Sequence, residues 1–210
     1  SKAEEHLFLK ERIELNGLKA LTINVGTGGP CPAAVDVDLF KIVIENDPSV
    51  KQSRDRAIAA MIKAAGSRIK KLYAENEIAG IISAGGGTGT HIGTSIMHEL
   101  PLGVPKVMVS TVASRNMAQT VGTKDITMIH SVADLLGINS ISGQILDRAA
   151  AAICAMSQSQ WRPAEIKKRI ALPFFGFITA GAEATRSALE ALGYEVVAFH
   201  ANGTGGMAGE

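Results

Sequence analysis

The sequence has few of the features that would assign it to a specialised class of protein. Only two cysteines, Cys31 and Cys154, occur in 210 residues, too few for the disulfide framework of a small secreted protein. Aromatic residues make up 4% of the chain and the formal net charge is +1, whereas nucleic-acid-binding proteins usually carry a basic face. No apolar run approaches the roughly 18 residues that a membrane helix needs. We therefore expect a cytoplasmic globular protein that binds neither nucleic acid nor membrane.

Short apolar segments alternate with amphipathic segments along the chain. The segment 30–51 contains three prolines and is predicted to be an irregular connection. The alternation predicts an α/β fold, a Rossmann-like parallel sheet sandwiched by helices. The predicted strands are 20–25, 78–85, 106–110, 126–129, 169–178 and 195–200, and the predicted helices are 4–15, 54–76, 91–99, 139–156 and 182–192.

The pattern restarts after a linker, which predicts two subdomains. We assign 1–156 to a first α/β nucleotide-binding subdomain, 157–168 to the linker, and 169–210 to the beginning of an incomplete second α/β subdomain. The sequence begins at a helical pattern and ends in a glycine loop, which suggests a fragment of a longer protein.

Three loops rich in glycine and threonine, at 25–29, 85–90 and 202–206, each follow a predicted strand. Ligands of parallel α/β sheets bind beyond the carboxyl ends of the strands. We therefore expect the first two loops on one edge of one sheet, with the third facing them across an interdomain cleft. The alternative is that the glycines only form tight turns at strand ends.

The chemistry of these loops favours an anion such as a phosphate group. Glycine lets backbone N–H groups approach an oxygen closely, and a following helix adds the positive end of its dipole. The loop at 85–90 matches neither the P-loop, whose lysine it lacks, nor the G-x-G-x-x-G fingerprint of dinucleotide-binding proteins. The predicted phosphate-binding residues are Gly85, Gly86, Gly87, Thr88, Gly89, Thr90, Gly203, Thr204 and Gly205.

Two polar loops are expected to join this site. Ser110 and Thr111 leave the end of a predicted strand, and Gly122 and Thr123 precede the next one. Lys124 is a candidate for the cation that the glycine loop lacks. Asp125 is a candidate ligand for Mg²⁺, which prefers one or two carboxylates together with phosphate oxygens. The alternative for Asp125 is a turn or helix-capping residue.

Five segments resemble the ATP-binding domain family that is typified by the tomato tobamovirus-resistance protein. They are EEHLFLKERIE (4–14), GIISAGGGTGT (80–90), LPLGVPKVMVSTVAS (100–114), VGTKDITMIHSVAD (121–134) and GYEVVAFHANGTGG (193–206). The resemblance implies two Rossmann-like subdomains, dimerisation and ATP binding. It also implies that a full member is about twice as long as this chain. It does not transfer a protein partner, because a shared fold does not carry function with it.

These observations predict an ATP-binding protein of regulatory or unknown role. We expect its partners to be a nucleotide, a second copy of the chain in a homodimer, and an unidentified protein. The alternative is an enzyme, a hydrolase or transferase, that acts on a phosphorylated or carboxylate small molecule in the interdomain cleft. A third hypothesis is an interaction module in which the alanine-rich segment 147–156 forms a dimer face. The same segment also fits a helix buried under its own sheet.

Overall fold

The computed structural model describes residues 2–45, 47–201 and 204–208. It divides into two compact units, Ser1–Ser159 and Gln160–Glu210. The boundary between them falls inside the predicted linker 157–168.

The first unit alternates helices with short strands. Its helices are α1 (Ala3–Leu15), α2 (Pro48–Lys51), α3 (Arg54–Ala74), α4 (Gly87–Met97), α5 (Ala118–Val121) and α6 (Ser142–Gln158), and its strands are β1 (Ile23–Asn24), β2 (Val37–Asp38), β3 (Ile81–Gly85), β4 (Lys106–Ser110) and β5 (Thr127–His130). A π-helical segment spans Phe40–Glu45.

All strand pairs in the first unit are parallel among the described residues. β1 pairs with β2, and β3, β4 and β5 form a second sheet in that order. Ile81 lies opposite Lys106, and Val107 lies opposite Thr127, so the carboxyl ends of the three strands meet at one edge. The predicted α/β fold with parallel strands is therefore confirmed.

Helices cover both faces of the β3–β4–β5 sheet because its central strand is apolar on both sides. Val107 and Val109 of β4 share a core with α1 and α6. Met108, which points to the other face, packs with Met97 of α4 and with Ile126. α3 and α4 form a further core, which includes Met61, Ile69, Ile92 and Ile96. All five residues of β4 are buried, as expected for a strand covered on both faces.

The segment 147–156 belongs to this core. Leu146, Ala149 and Ala150 of α6 are fully buried, and Ile153 and Cys154 are nearly so. Burial raises the pKa of the Cys154 thiol. The helix buried under its own sheet is the arrangement observed, so this face of α6 is not available to a second molecule.

Two sequence predictions were wrong in detail. The segment 30–51 is not irregular throughout, because it contains β2, the π-helix and α2. The helix predicted at 91–99 begins four residues earlier, at Gly87 inside the glycine-rich segment. Glycine has a low helix propensity, which is why this first turn was not recognised from sequence.

The second unit contains two parallel strands and their connection. Its elements are β6 (Arg169–Phe174), a 3₁₀ turn at Gly176–Ile178, α7 (Thr179–Ala191), β7 (Glu195–His200) and the short α8 (Thr204–Ala208). β6 pairs with β7 over six residues, from Arg169 opposite Glu195 to Phe174 opposite His200. Among the helices of the described residues, none combines the length and apolar character needed to cross a membrane.

Candidate functional site

The glycine loop, defined as Gly85–Thr90, joins the carboxyl end of β3 directly to the first turn of α4. Gly85 is required by a close approach of the backbone, because a Cβ there would lie 2.8 Å from the Cα atom of Gly89. At Gly87, a Cβ would meet no atom within 4 Å. The loop therefore combines a tightly packed start with an open side at the first residue of the helix.

No side chain caps the amino end of α4. Its cap residue is Gly86, and the amide of Thr90 donates to the carbonyl oxygen of Gly86 over 2.7 Å, the first bond of the helix. The amides of the first helical turn have no intrahelical partner in any helix. In α4 these amides lie beside Gly87 on the open side of the loop, where they are suited to an anion.

A guanidinium group lies at the same place. Arg54, the first residue of α3, donates a hydrogen bond of 2.9 Å from Nη2 to Thr88 Oγ1. Arginine side chains pair well with phosphate and carboxylate groups because their donors are arranged as a planar fork. Arg54 is thus a cation next to the glycine loop, the role that sequence reasoning gave to Lys124.

Thr90 and Ser110 have a different position from the one predicted. Both are buried, and their hydroxyl groups lie 2.6 Å apart. Ser110 Oγ also accepts from the Val112 amide, and Thr90 Oγ1 is 3.4 Å from the Gly85 carbonyl oxygen. These hydroxyls are used to hold the loop against β4, so they are not free to contact a ligand.

Thr111 lies directly beside the glycine loop. Its amide donates to the Gly85 carbonyl oxygen over 3.1 Å, and its Oγ1 is 3.6 Å from the position of a Cβ on Gly86. Its hydroxyl has the right position to assist the backbone amides of the loop.

The first glycine loop, 25–29, is organised by Asn24 and Asp38. The side-chain nitrogen Nδ2 of Asn24 donates to Asp38 Oδ1 over 2.8 Å. The backbone amide of Gly26 donates to Asn24 Oδ1 over 3.0 Å. Burial acts to raise the pKa of Asp38, but hydrogen bonds from Asn24, Cys31 and Phe40 outweigh it and hold the pKa below its ordinary value. Asp38 is therefore an ionised anchor for the loop.

Both of these loops line one cavity of about 1160 Å³. They do not lie on one edge of one sheet, as predicted, because β1 pairs with β2 in a sheet separate from that of β3, β4 and β5. Gly26–Gly29 and Gly85–Gly89 contribute to its wall. The third loop belongs to the second unit. Gly203 lies outside the described residues, Thr204 begins α8, and Gly205 packs against the backbone of His200.

The segment 122–125 does not join the glycine loop. It precedes β5, so it lies at the amino ends of the strands, whereas Gly85 and Ser110 lie at their carboxyl ends. Gly122 approaches His98, near the carboxyl end of α4, and Lys124 Nζ donates to the Leu100 carbonyl oxygen. Thr123 is exposed in the same segment. The structure therefore separates Gly122, Thr123, Lys124 and Asp125 from the rest of the predicted site.

Asp125 instead forms an ion pair with the buried Lys106. Its Oδ1 accepts from Lys106 Nζ over 2.7 Å, and its Oδ2 accepts from the Gly103 amide over 2.7 Å. Burial acts to raise the pKa of Asp125. The hydrogen bonds from Lys106 and from the Gly103 amide, together with the charge of Lys106, outweigh it and hold the pKa below its ordinary value. Both carboxylate oxygens are thus occupied by protein donors. Among the described residues, no group of three or more histidine, cysteine and acidic side chains forms a possible metal site.

Three residues were missed from sequence. Arg54 was treated only as the start of a helix, and Asp38 lay in the connection predicted to be irregular. His6 accepts a hydrogen bond of 3.2 Å from the Ala84 amide, one residue before the glycine loop. None of these contacts is evident from the sequence, because the partners lie 14 to 78 residues apart.

The geometry defines a class: an α/β protein with a glycine-lined cavity at the carboxyl edge of a parallel sheet. Comparison with known proteins is more specific. The model of the uncharacterised protein family UPF0261 matches through its N-terminal domain at residues 1–162 and through its C-terminal domain at residues 167–210. The chain belongs to the UPF0261 family.

Individual relatives agree with this assignment. The chain is similar to a UPF0261 protein of Clostridium tetani, with 40% identity over all of the chain and 54% of the relative. It is 39% identical to a UPF0261 protein of Rhizobium meliloti over 53% of that protein. It is also similar to the ToMV susceptible protein tm-1(GCR26) of Solanum lycopersicum, at 37% identity over 75% of the chain and 22% of the tomato protein. The chain spans about half the length of the bacterial relatives.

Proposed function

We propose that this protein binds ATP and holds the phosphate groups at the glycine loop. The observation that carries the proposal is the uncapped amino end of α4, which opens beside Gly87 and has the Arg54 guanidinium next to it. Backbone amides and a guanidinium group together provide the donors and the positive charge that a polyphosphate needs.

The proposed contacts use only residues on the open side of the loop. The amides of Gly87, Thr88 and Gly89 face the first phosphate oxygens, and Arg54 and Thr111 approach from either side. Gly85, Thr90 and Ser110 shape the loop without touching the ligand, because each is buried and Thr90 and Ser110 bond to each other. The loop at 25–29 lines the same cavity.

In this proposal Mg²⁺ binds together with the nucleotide. Mg²⁺ commonly keeps several waters and is held through phosphate oxygens, so it needs few protein ligands. Asp125 is left out of this role because Lys106 and Gly103 occupy its two oxygens at the other end of the strands.

Isothermal titration calorimetry with ATP and Mg²⁺ tests the proposal. We expect saturable binding to the wild-type protein and a loss of about tenfold or more in Arg54→Ala, since a charge-assisted hydrogen bond contributes roughly 1.5–3 kcal/mol. Arg56→Ala is the matched control, because Arg56 is also exposed and lies two residues further along α3. The double variant Gly87→Val, Thr88→Val should bind more weakly still, because it covers the amides.

The possible results separate clearly. Undiminished affinity in the double variant would show that the glycine loop does not bind the nucleotide. Equal losses of affinity in Arg54→Ala and Arg56→Ala would show that Arg54 acts only through its charge and makes no specific contact. Titrations with ADP, AMP and inorganic phosphate show which part of the nucleotide is recognised. Phosphate release measured in parallel distinguishes a binding protein from a hydrolase, because only a hydrolase gives turnover above background.

We further propose a cytoplasmic homodimer. The proposal is supported by the resemblance drawn from the sequence, and the buried face of α6 is excluded as the contact. Light scattering of the purified chain decides the oligomeric state, and a monomer at all concentrations contradicts the dimer.

A further inference from the structure

A second cavity, of about 510 Å³, lies between the carboxyl end of β5 and the start of α6, and is called the β5 cavity below. All of its lining residues belong to the first unit, and none of them lines the cavity at the glycine loop. Its volume lies in the range of about 300–1,000 Å³ that is typical of sites for small molecules.

The walls of the β5 cavity are apolar. They are formed by Ile129 of β5, by Val132 and Ile141 of the segment that connects β5 to α6, and by Ile145 of α6. Val132 is 70% exposed and Ile141 is 50% exposed. Large apolar surface is therefore left open to solvent at this cavity, and an aliphatic ligand gains free energy by covering it.

The polar side chains of the β5 cavity have no partner within the protein. They are His130, Ser140, Gln144 and Arg148, all exposed, and none makes a hydrogen bond or an ion pair with another residue of 2–45, 47–201 or 204–208. No acidic residue is among the described residues that line the cavity. The β5 cavity thus has one permanent positive charge, on Arg148, together with neutral hydrogen-bonding groups.

The charge and the apolar walls lie on the same side of α6. Arg148 shares a helix face with Ile141 and Ile145, because positions three, four and seven residues apart lie above one another on a helix. The buried residues Leu146 and Ala149 belong to a different face of α6, which packs under the sheet. A ligand in the β5 cavity can therefore contact the guanidinium group and the apolar side chains at once.

The start of α6 does not offer the kind of anion site found at α4. Oδ1 of Asn139 accepts hydrogen bonds from the amides of Ile141 and Ser142 over 2.9 and 3.0 Å. An anion in the β5 cavity is consequently held by side chains. The guanidinium group of Arg148 has paired, coplanar donors, which match the two oxygens of a carboxylate.

The backbone is strained where it holds the exposed wall of the cavity. Val132 has a φ of 62°, which a β-branched residue rarely adopts. The turn is enforced by the buried Ser131, whose amide donates to the Ser110 carbonyl oxygen over 3.1 Å and whose hydroxyl donates to the Ala133 carbonyl oxygen over 2.6 Å. Strain of this kind is often found at ligand-binding sites, and here it places an apolar side chain at the cavity.

The β5 cavity lies at the same edge of the sheet as the glycine loop. Gly85 is opposite Ser110, and Ser110 is opposite His130, so the three residues form one row across β3, β4 and β5. With strands about 4.8 Å apart, Gly85 and His130 are separated by about 10 Å. Ligands of parallel α/β sheets bind at this carboxyl edge.

We propose that the β5 cavity binds a small aliphatic carboxylic acid in its carboxylate form. The carboxylate pairs with Arg148 and receives a further hydrogen bond from Gln144. The aliphatic body packs against Val132, Ile141 and Ile145. This site is additional to the proposed ATP site and does not depend on it, because the two cavities share no lining residue.

The test is a titration of the ¹⁵N-labelled 210-residue chain with hexanoate, followed by heteronuclear NMR. We expect saturable shifts, largest for the amides of His130, Val132 and Gln144. Butanoate should bind about tenfold more weakly, because each buried CH₂ group contributes a factor of about four in affinity. Hexylammonium, which has the same body and the opposite charge, should not bind.

Variants at Arg148 test the charge-assisted contact. Arg148→Ala should weaken hexanoate binding about tenfold or more, because it removes a hydrogen bond to a charged group. Arg148→Lys keeps the charge but not the paired donors, so its affinity should lie between those of the wild-type protein and Arg148→Ala. Arg56→Ala, at an exposed position of α3, is the control and should bind hexanoate normally.

Variants in the walls test the apolar contact. Gln144→Trp should abolish binding by filling the β5 cavity, whereas Ala151→Trp, at an exposed position of the same helix, should not. Val132→Asn should bind hexanoate severalfold more weakly. Its melting temperature should be unchanged or higher, because asparagine adopts a positive φ more readily than valine does. Circular dichroism confirms that each variant is folded.

The proposal is overturned if hexanoate gives no saturable shifts, if butanoate binds as tightly as hexanoate, or if inorganic phosphate does. It is also overturned if Arg148→Ala and Arg56→Ala have equal affinities. A dimer that Gln144→Trp dissociates, measured by light scattering, would make this surface a contact between subunits and would equally overturn it. A failure of ATP to shift the amides of Gly87 and Thr88 contradicts only the proposed nucleotide site.

Discussion

The hydroxyl groups of Thr90 and Ser110 lie 2.6 Å apart and join the first turn of α4 to the carboxyl end of β4. Ser110 Oγ accepts a second hydrogen bond, from the Val112 amide, over 3.1 Å. The loop between β3 and α4 is thereby fixed to the neighbouring strand by side chains that are 2% and 0% exposed.

Replacement of this pair should destabilise the protein. Ser110→Ala leaves Thr90 and the Val112 amide without their partner in a buried place, and we expect a loss of about 1–3 kcal/mol in the free energy of unfolding. Urea denaturation followed by circular dichroism measures it. Ser140→Ala, at an exposed position, is the control and should change stability by less than about 0.5 kcal/mol. Equal effects in the two variants would contradict a structural role for the pair.

The two glycines at the start of the loop should respond differently to alanine. At Gly85 the new Cβ meets the Gly89 backbone, which cannot move away without shifting the helix, so we expect a loss of about 1–3 kcal/mol. At Gly87 the new Cβ enters open space in the first turn of α4, and alanine favours a helix, so stability should stay equal or rise by up to about 1 kcal/mol. Thermal unfolding of both variants provides the comparison, and a destabilised Gly87→Ala would be evidence against an open site.

The ion pair at the amino ends of the strands should be essential for stability. Lys106 is 0% exposed and donates to the carbonyl oxygens of Pro101 and Val104 as well as to Asp125. Lys106→Met removes all three bonds, two of which go to backbone carbonyl oxygens. We expect a loss of about 2–4 kcal/mol, at the lower end of what broken buried pairs usually cost, because the Asp125 side chain is 43% exposed and can be hydrated.

The lowered pKa of Asp125 predicts that the stability of the protein decreases at acid pH. Its pKa is lower in the folded protein than in the unfolded chain, so its contribution is complete above the unfolded pKa of about 3.9 and is lost as the pH falls through the folded value. Asp125→Asn should therefore flatten the fall in melting temperature below about pH 4. An unchanged acid slope in this variant would show that the ion pair does not contribute.

His6 should cause a separate loss of stability as the pH falls, in a range above that of Asp125. Burial lowers the pKa of His6 below its ordinary value of 6.5, while its bond to the Lys2 carbonyl and the charge of Glu5 act in the opposite direction. The unfolded chain therefore takes up a proton first, and stability should decrease as the pH falls below about 6.5. His6→Gln keeps an acceptor for the Ala84 amide and should remove this decrease below about pH 6.5. His130→Gln, at an exposed position, should retain it.

The fold was largely predictable because most strands and helices have clear periodicity. β4 and α3 match their predicted ranges closely. β4 has an apolar centre bounded by the chain break at Pro105, and α3 has a long amphipathic repeat. The segment 30–51 was not predictable, because β2 is only two residues long and is held by hydrogen bonds to Asn24 and Thr22 rather than by a hydrophobic pattern of its own.

The candidate site was only partly predictable. Strand order placed Gly85–Thr90, Ser110 and Thr111 at one edge, since they directly follow parallel strands. Polarity alone could not decide which hydroxyls face outward, so the burial of Thr90 and Ser110 was missed. Gly122–Asp125 was grouped with the site because of its composition, although residues that precede a parallel strand lie at the opposite edge.

β4 is held at one end by the ion pair of Lys106 and at the other by the hydroxyl of Ser110. Its backbone lies between two neighbouring strands and is covered by helices on each face. A local opening of this strand would have to break both ends and both cores at once. Hydrogen exchange of the β4 amides should therefore proceed only through complete unfolding of the first unit, and any ligand of the glycine loop should slow that exchange in proportion to its affinity.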